Sequence, residues 1–217
     1  MIEKSRIIFK NIIRMGPELD FEKFKAKLLE RRFKPNERIV PTPEGPLKEY
    51  VMTEPKYLRD LIIISRKGFV VDSRDINYAL ELIALAYDLY ENIMRDYVEY
   101  IQVDIMGLYE LIVLLRNAEN LARRIFRKDI VADVNRELGN DLKPFGLSFC
   151  KGVPAAPHEF VVINLVPVLI PYRESSRLKV NVSYRGTDSE KAVRFLRDMP
   201  SIIEKLVKVL SSPQTGG

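Results

Sequence analysis

The 217 residues predict an α+β fold, a mainly antiparallel curved sheet packed against long helices. Three observations carry this. Several apolar runs alternate with a period of two and follow one another with only turn residues between them, too little chain for parallel crossovers. Two long segments, residues 75–95 and the stretch after Gly186, repeat apolar residues at spacings of three and four. Hydrophobic residues make up 47% and charged residues 30%, which supplies a core and a charged surface and excludes a disordered chain.

Residues 6–14 read as the first strand, closed by Gly16 and Pro17. Phe21, Phe24, Leu28 and Leu29 predict a helix over 17–33. Pro35, Pro41, Pro43, Gly45 and Pro46 exclude a helix over 34–48 and leave room for short strands near 38–40 and 47–52. Residues 61–65 and 69–72 form a hairpin, with Gly68 taking the unusual backbone angle of the turn. Asp72 or Ser73 caps the helix over 75–95, whose stripe is Ile76, Leu80, Ile83, Tyr87, Tyr90 and Met94.

A strand is expected over 97–105, with Val98, Tyr100, Gln102 and Asp104 sharing its more polar face. Gly107 then separates it from a helix over 108–126, drawn from Leu111, Leu115, Ala118, Ala122 and Ile125. Residues 128–139 continue that helix or form another. Strands follow over 145–150, 159–170 and 177–185, with the Pro-Ala-Ala-Pro run at 154–157 as a turn. Thr187 and Glu190 have capping-box spacing before a last helix, which Pro200 kinks or restarts. Residues 213–217 read as a disordered tail.

The order strand, helix, strands, helix occurs twice. It predicts an N-terminal half over 1–95 and a C-terminal half over 96–212, duplicated in plan and sharing one sheet. The single cysteine, Cys150, excludes an intramolecular disulfide and points to a reducing, cytoplasmic setting. The opening MIEKSR lacks a signal-peptide apolar region, and the longest apolar stretch, 160–170, is half a membrane span. No membrane partner is expected. Abundant charge with only Gln102 and Gln214 as glutamines fits a thermophilic source.

Net charge is +5, divided into +5 over residues 1–72, −4 over 73–139 and +4 over 140–217. A basic strand is the strongest functional signal. Arg177, Lys179, Asn181, Ser183 and Arg185 share one face of residues 177–185, while Leu178, Val180, Val182 and Tyr184 share the other. Arg6, Lys10 and Arg14 share parity on the first strand and extend the same basic surface. Lys and Arg in such a ribbon neutralise phosphates, and Asn and Ser add hydrogen bonds. Aromatic stacking partners are missing from it. A solvated outer strand decorated against aggregation has the same spelling.

Other constellations are weaker. Tyr87, Tyr90, Tyr100, Gln102 and Asp104 are candidates for lining a ligand cavity. Asp129, Asp133 and Glu137, spaced four apart, are the best metal candidates, although neighbouring Arg127, Lys128 and Arg136 suit a salt-bridged helix face. Cys150 with His158 matches no known thiol-enzyme motif. Nucleotide-binding glycine motifs are absent and no cofactor is implied. The sequence therefore predicts a non-enzymatic binding protein contacting nucleic-acid phosphates through a basic sheet face. Assembly with a protein partner or a second copy, through apolar helices, is the alternative. An enzyme or small-molecule sensor with an aromatic-lined cavity comes third.

Overall fold

A computed structural model describes residues 2–55, 59–115, 117, 118, 121, 128–138, 144–152, 159–168 and 176–211. The elements run β1 (Ile2–Met15), α1 (Phe21–Glu30), β2 (Lys34–Thr42), β3 (Gly45–Thr53), β4 (Leu61–Ser65), β5 (Gly68–Ser73) and α2 (Ile76–Met94). A 3-10 turn (Arg95–Tyr100) leads into β6 (Gln102–Leu114), α3 (Lys128–Leu138), β7 (Leu147–Lys151), β8 (Phe160–Pro167), β9 (Arg177–Gly186) and α4 (Ser189–Ser211). The fold is α+β. Among the described residues no helix is long and apolar enough to cross a membrane.

All nine strands form one antiparallel sheet in the order β2-β3-β4-β5-β1-β6-β9-β8-β7. Each half begins at the centre, with β1 or β6. The chain then passes through a helix to the outer edge, at β2 or β7. It returns strand by strand to lie beside its own first strand and ends in a long helix. β1 and β6 join the halves through a ladder that includes Ile7 opposite Tyr109.

One face of the sheet carries the helices. Ile7, Phe9, Ile62, Ile64, Phe69, Val71, Tyr109, Leu111, Val180 and Val182 point into that layer and are buried. Phe24 of α1 packs on Phe69, and Tyr87 of α2 meets Phe9 and Phe69 edge-on. Phe195 of α4 stacks on Tyr184 at 5.2 Å. The wide apolar stripes of the long helices are thus core, which explains their breadth.

Local chemistry sets the element ends. Asp20 caps α1 and Asp75, not the expected Asp72 or Ser73, caps α2, accepting from the backbone N–H of Lys23 and Tyr78. At α4 the cap is Asp188, which accepts from the Lys191 N–H at 3.0 Å, and not Thr187 as the capping-box spacing suggested. α4 runs unbroken through Pro200. Gly68 turns the β4–β5 hairpin at φ +129°, and a Cβ there would lie 2.1 Å from the Asn11 carbonyl oxygen.

Three expectations are corrected. Residues 108–114 continue β6 and are not helical. Tyr109, Leu111 and Val113 are buried, while Leu108, Glu110, Ile112 and Leu114 face away, a period of two that the leucines disguised. Gly107 does not break the chain there. It leaves room for the Tyr109 ring, whose hydroxyl would stand 2.0 Å from a Cβ at 107. Second, residues 97–100 belong to the 3-10 turn, so the strand begins only at Gln102. Third, residues 34–53 form a full hairpin in spite of their prolines. β2 is an edge strand, where a missing N–H leaves no neighbour unpaired.

Candidate functional site

Among the described residues no helix is seen packed on the second face of the sheet, and the basic strand lies there. In β9, Leu178, Val180, Val182 and Tyr184 are buried, so Arg177, Lys179, Asn181, Ser183 and Arg185 stand on the uncovered side. The ladder carries the same face across β6 to β1. Arg185 sits opposite Met106 and Met106 opposite Lys10, and Asn181 sits opposite Glu110 and Glu110 opposite Arg6. The candidates on β1 and β9 therefore occupy one surface, separated by the width of β6.

Over β1, β5, β6 and β9 this face holds the cations Lys4, Arg6, Lys10, Arg14, Arg177, Lys179 and Arg185 against the carboxylates Asp72, Asp104, Glu110 and, through its ion pair with Arg177, Glu3. Most are paired. Asp104, 6% exposed, receives both Arg185 nitrogens at 2.6 and 3.0 Å, and Arg14 approaches it at 3.6 Å. Arg6 forks onto Asp72 at 2.8 and 3.2 Å. Lys179 reaches Glu110 at 3.3 Å, and Arg177 reaches Glu3 at 2.6 Å. The hydrogen bonds that Arg6 and Arg185 donate to Asp72 and Asp104 raise their pKa above its ordinary value, so both stay charged. Lys10 forms no ion pair among the described residues.

Between the charges runs an aliphatic strip. Ile8, Ile12, Met106 and Ile112 are partly exposed, and Leu108 and Leu114 are exposed. Phe160, opposite Arg185, is the one aromatic among the strand residues of this face. A row of polar side chains crosses the strip: Ser148, Asn164 and Asn181 face one another across β7, β8 and β9, and the Ser148 hydroxyl donates to Asn164 Oδ1 at 2.7 Å. The Asn181 side-chain oxygen is buried without a hydrogen bond. The surface thus offers fixed cations, apolar contact area and amide hydrogen-bonding groups. It suits a ligand that carries regularly spaced anions on a partly apolar frame.

Of the cavity candidates only Tyr87 and Tyr90 meet, their rings edge-on at 6.5 Å. Tyr87 and Tyr90 of α2 lie on the helix side, their rings edge-on to Phe69. Tyr100 is 73% exposed in the 3-10 turn, Gln102 is exposed, and Asp104 belongs to the uncovered face. Asp129, Asp133 and Glu137 do lie on a helix, α3, and are exposed, with Asp133 paired to Arg136 at 3.1 Å. Among the described residues no three His, Cys, Asp or Glu side chains gather closely enough to hold a metal ion. Cys150 is exposed, and His158 lies outside the described residues, as does the tail.

The sequence reading missed the β6 contribution, Met106, Leu108, Glu110 and Ile112. Assigning a helix to 108–126 hid that face. The signal was present, since Tyr109, Leu111 and Val113 alternate with Leu108, Glu110 and Ile112. Comparison with protein-family models, with curated proteins and with solved structures finds no match.

Proposed function

We propose that the protein is a non-enzymatic nucleic-acid-binding protein that uses the uncovered face of its sheet. One observation carries the reading: cations outnumber carboxylates on the open face of β1, β5, β6 and β9, with Lys10, near the centre of β1, forming no ion pair among the described residues. In this reading Lys4, Lys10, Arg14, Arg177, Lys179 and Arg185 neutralise phosphates, and the aliphatic strip covers sugar edges. Asn181 and Ser183 orient the backbone through hydrogen bonds. Asp104 holds Arg185 and Glu110 holds Lys179 in place, so those cations meet a phosphate already ordered. The near absence of aromatic rings favours sugar–phosphate contact over base stacking.

The test is binding of labelled single- and double-stranded DNA and RNA across a salt series. Micromolar or tighter binding with a steep salt slope is expected. The Lys10→Glu, Lys179→Glu double variant should bind at least about tenfold more weakly, with a slope shallower by roughly two. Binding that is absent at low salt, or unchanged in the double variant, refutes the reading.

A second reading, assembly through an apolar helix, is favoured by α3 alone. Ile130, Val134 and Leu138 are 49%, 44% and 58% exposed and recur every four residues along it. Light scattering on the wild type and on Val134→Glu separates the two: a multimer lost in the variant supports assembly.

A further inference from the structure

On the helix side, α2 and α4 leave a groove of about 380 Å³. Leu80, Ile83 and Ala84 of α2 and Val193 of α4 form its apolar part. Arg194 and Arg197 stand on the α4 wall and make no ion pair among the described residues. Tyr87 also lines the groove, and its hydroxyl is buried without a hydrogen bond. Ser189 stands near that hydroxyl, but its influence is smaller than that of burial, which pushes the phenol pKa well above its ordinary value. An unsatisfied buried donor raises the energy of the empty groove and is relieved by an acceptor placed inside it.

We propose that this groove is a binding site for a small amphiphilic organic anion, with an anionic head on Arg194 and Arg197 and an apolar body against Leu80, Ile83 and Val193. Three features converge on that chemistry. The volume lies at the lower end of the roughly 300–1,000 Å³ range of small-ligand sites. Two guanidinium groups on one wall match a carboxylate through charge-assisted hydrogen bonds. The Tyr87 hydroxyl donates to an oxygen of the same ligand. Glu91 and Glu190, which also line the groove, oppose a ligand of higher negative charge and favour a single carboxylate over a phosphate. The site lies on the opposite side of the sheet from the basic face and does not depend on nucleic-acid binding.

Decanoate is the probe, with decanol as its uncharged counterpart, measured by calorimetry and thermal shift on the full chain. Decanoate should bind and raise Tm, and decanol should bind at least about tenfold more weakly. The Arg194→Gln, Arg197→Gln double variant should lose about tenfold or more in decanoate affinity. Ala84 is exposed, so Ala84→Phe should fill the groove without unfolding the chain, as circular dichroism checks, and abolish binding. Tyr87→Phe keeps the ring contacts to Phe9 and Phe69 but removes the unsatisfied hydroxyl. It should raise the Tm of the free protein while weakening decanoate binding, a pair of effects that a purely structural tyrosine does not give. The proposal is overturned if decanoate fails to bind at millimolar concentration. It is equally overturned if decanol binds as tightly, or if Ala84→Phe leaves decanoate binding intact.

Discussion

In the first half of the chain, the helix between the central strand and the edge strand buries Phe24 and Leu28 against the sheet. Its counterpart in the second half, α3, has no buried residue. The edge strands do not follow this difference: β2 has no buried residue, and β7 buries only Leu147. The two halves share a chain path, yet the first buries the helix that leads to its edge strand and the second does not. A common path therefore does not dictate common packing. Apolar residues at helical spacing make an amphipathic helix in both halves, but burial also needs large side chains from the strands to meet it. Phe24 finds Phe69 at 6.2 Å, and no such ring contact is seen for α3 among the described residues.

Alkaline titration is the strongest way to break this comparison. Each half holds two tyrosines whose phenols burial keeps protonated, Tyr87 and Tyr90 on α2 in the first, Tyr109 and Tyr184 on β6 and β9 in the second. Burial holds Tyr90 and Tyr184 up to about 12, and raises Tyr87 and Tyr109 as well. The unfolded chain releases these protons near pH 10, so above that pH it binds fewer protons than the folded chain. Stability then falls as pH rises from about 10 towards 12, by roughly 2–3 kcal/mol for each buried tyrosine. Because one sheet joins the halves, tyrosinate absorbance and loss of ellipticity should appear together in one step. Two steps, with Tyr109 and Tyr184 ionising first, would make the halves independent units.

Substitution sharpens the contrast between the helices. Phe24→Ala should cost about 3–5 kcal/mol in urea unfolding, as for a filled aromatic core site. Val134→Ala on α3 should stay within about 0.5 kcal/mol. Equal costs would mean that α3 is packed after all. Gly107→Ala, at the centre of the second half, should cost about 1–3 kcal/mol because its Cβ meets the buried Tyr109 hydroxyl. In a double-mutant cycle with Tyr109→Leu, which removes both the hydroxyl and the ring carbon 2.3 Å from that Cβ, the cost of Gly107→Ala should shrink, and an unchanged cost would refute the steric account.

Much of the architecture was legible in the residues. The hairpin at Gly68, the α2 stripe and the alternation of β9 follow from local chemistry. What stayed hidden depended on neighbours. Leu108–Leu114 spelled a helix as readily as a strand until Tyr109 and Gly107 were seen to share space. The prolines of β2 looked like breakers because edge position is a property of the sheet. The basic face was found from Arg177 to Arg185, but its pairing with Asp104 and Glu110 was not, since β6 was the misread element. Tyr87, Tyr90 and Tyr100 are close in sequence, and the helix end at Met94 parts Tyr100 from the other two in space.

The central position of β1 also has a consequence in time. Ile7, Ile8, Phe9, Ile12 and Ile13 leave the ribosome before every other strand of the sheet, and their partners in β5 follow some 60 residues later. At about 5–20 residues per second the strand waits several seconds for β5, and longer for β6. During that interval both of its backbone edges are open, and its apolar sequence is a template for pairing with other chains. Arg6, Lys10 and Arg14 interrupt the run at every fourth residue. In the nascent chain these charges keep neighbouring copies apart, so the strand stays competent until its own sheet arrives.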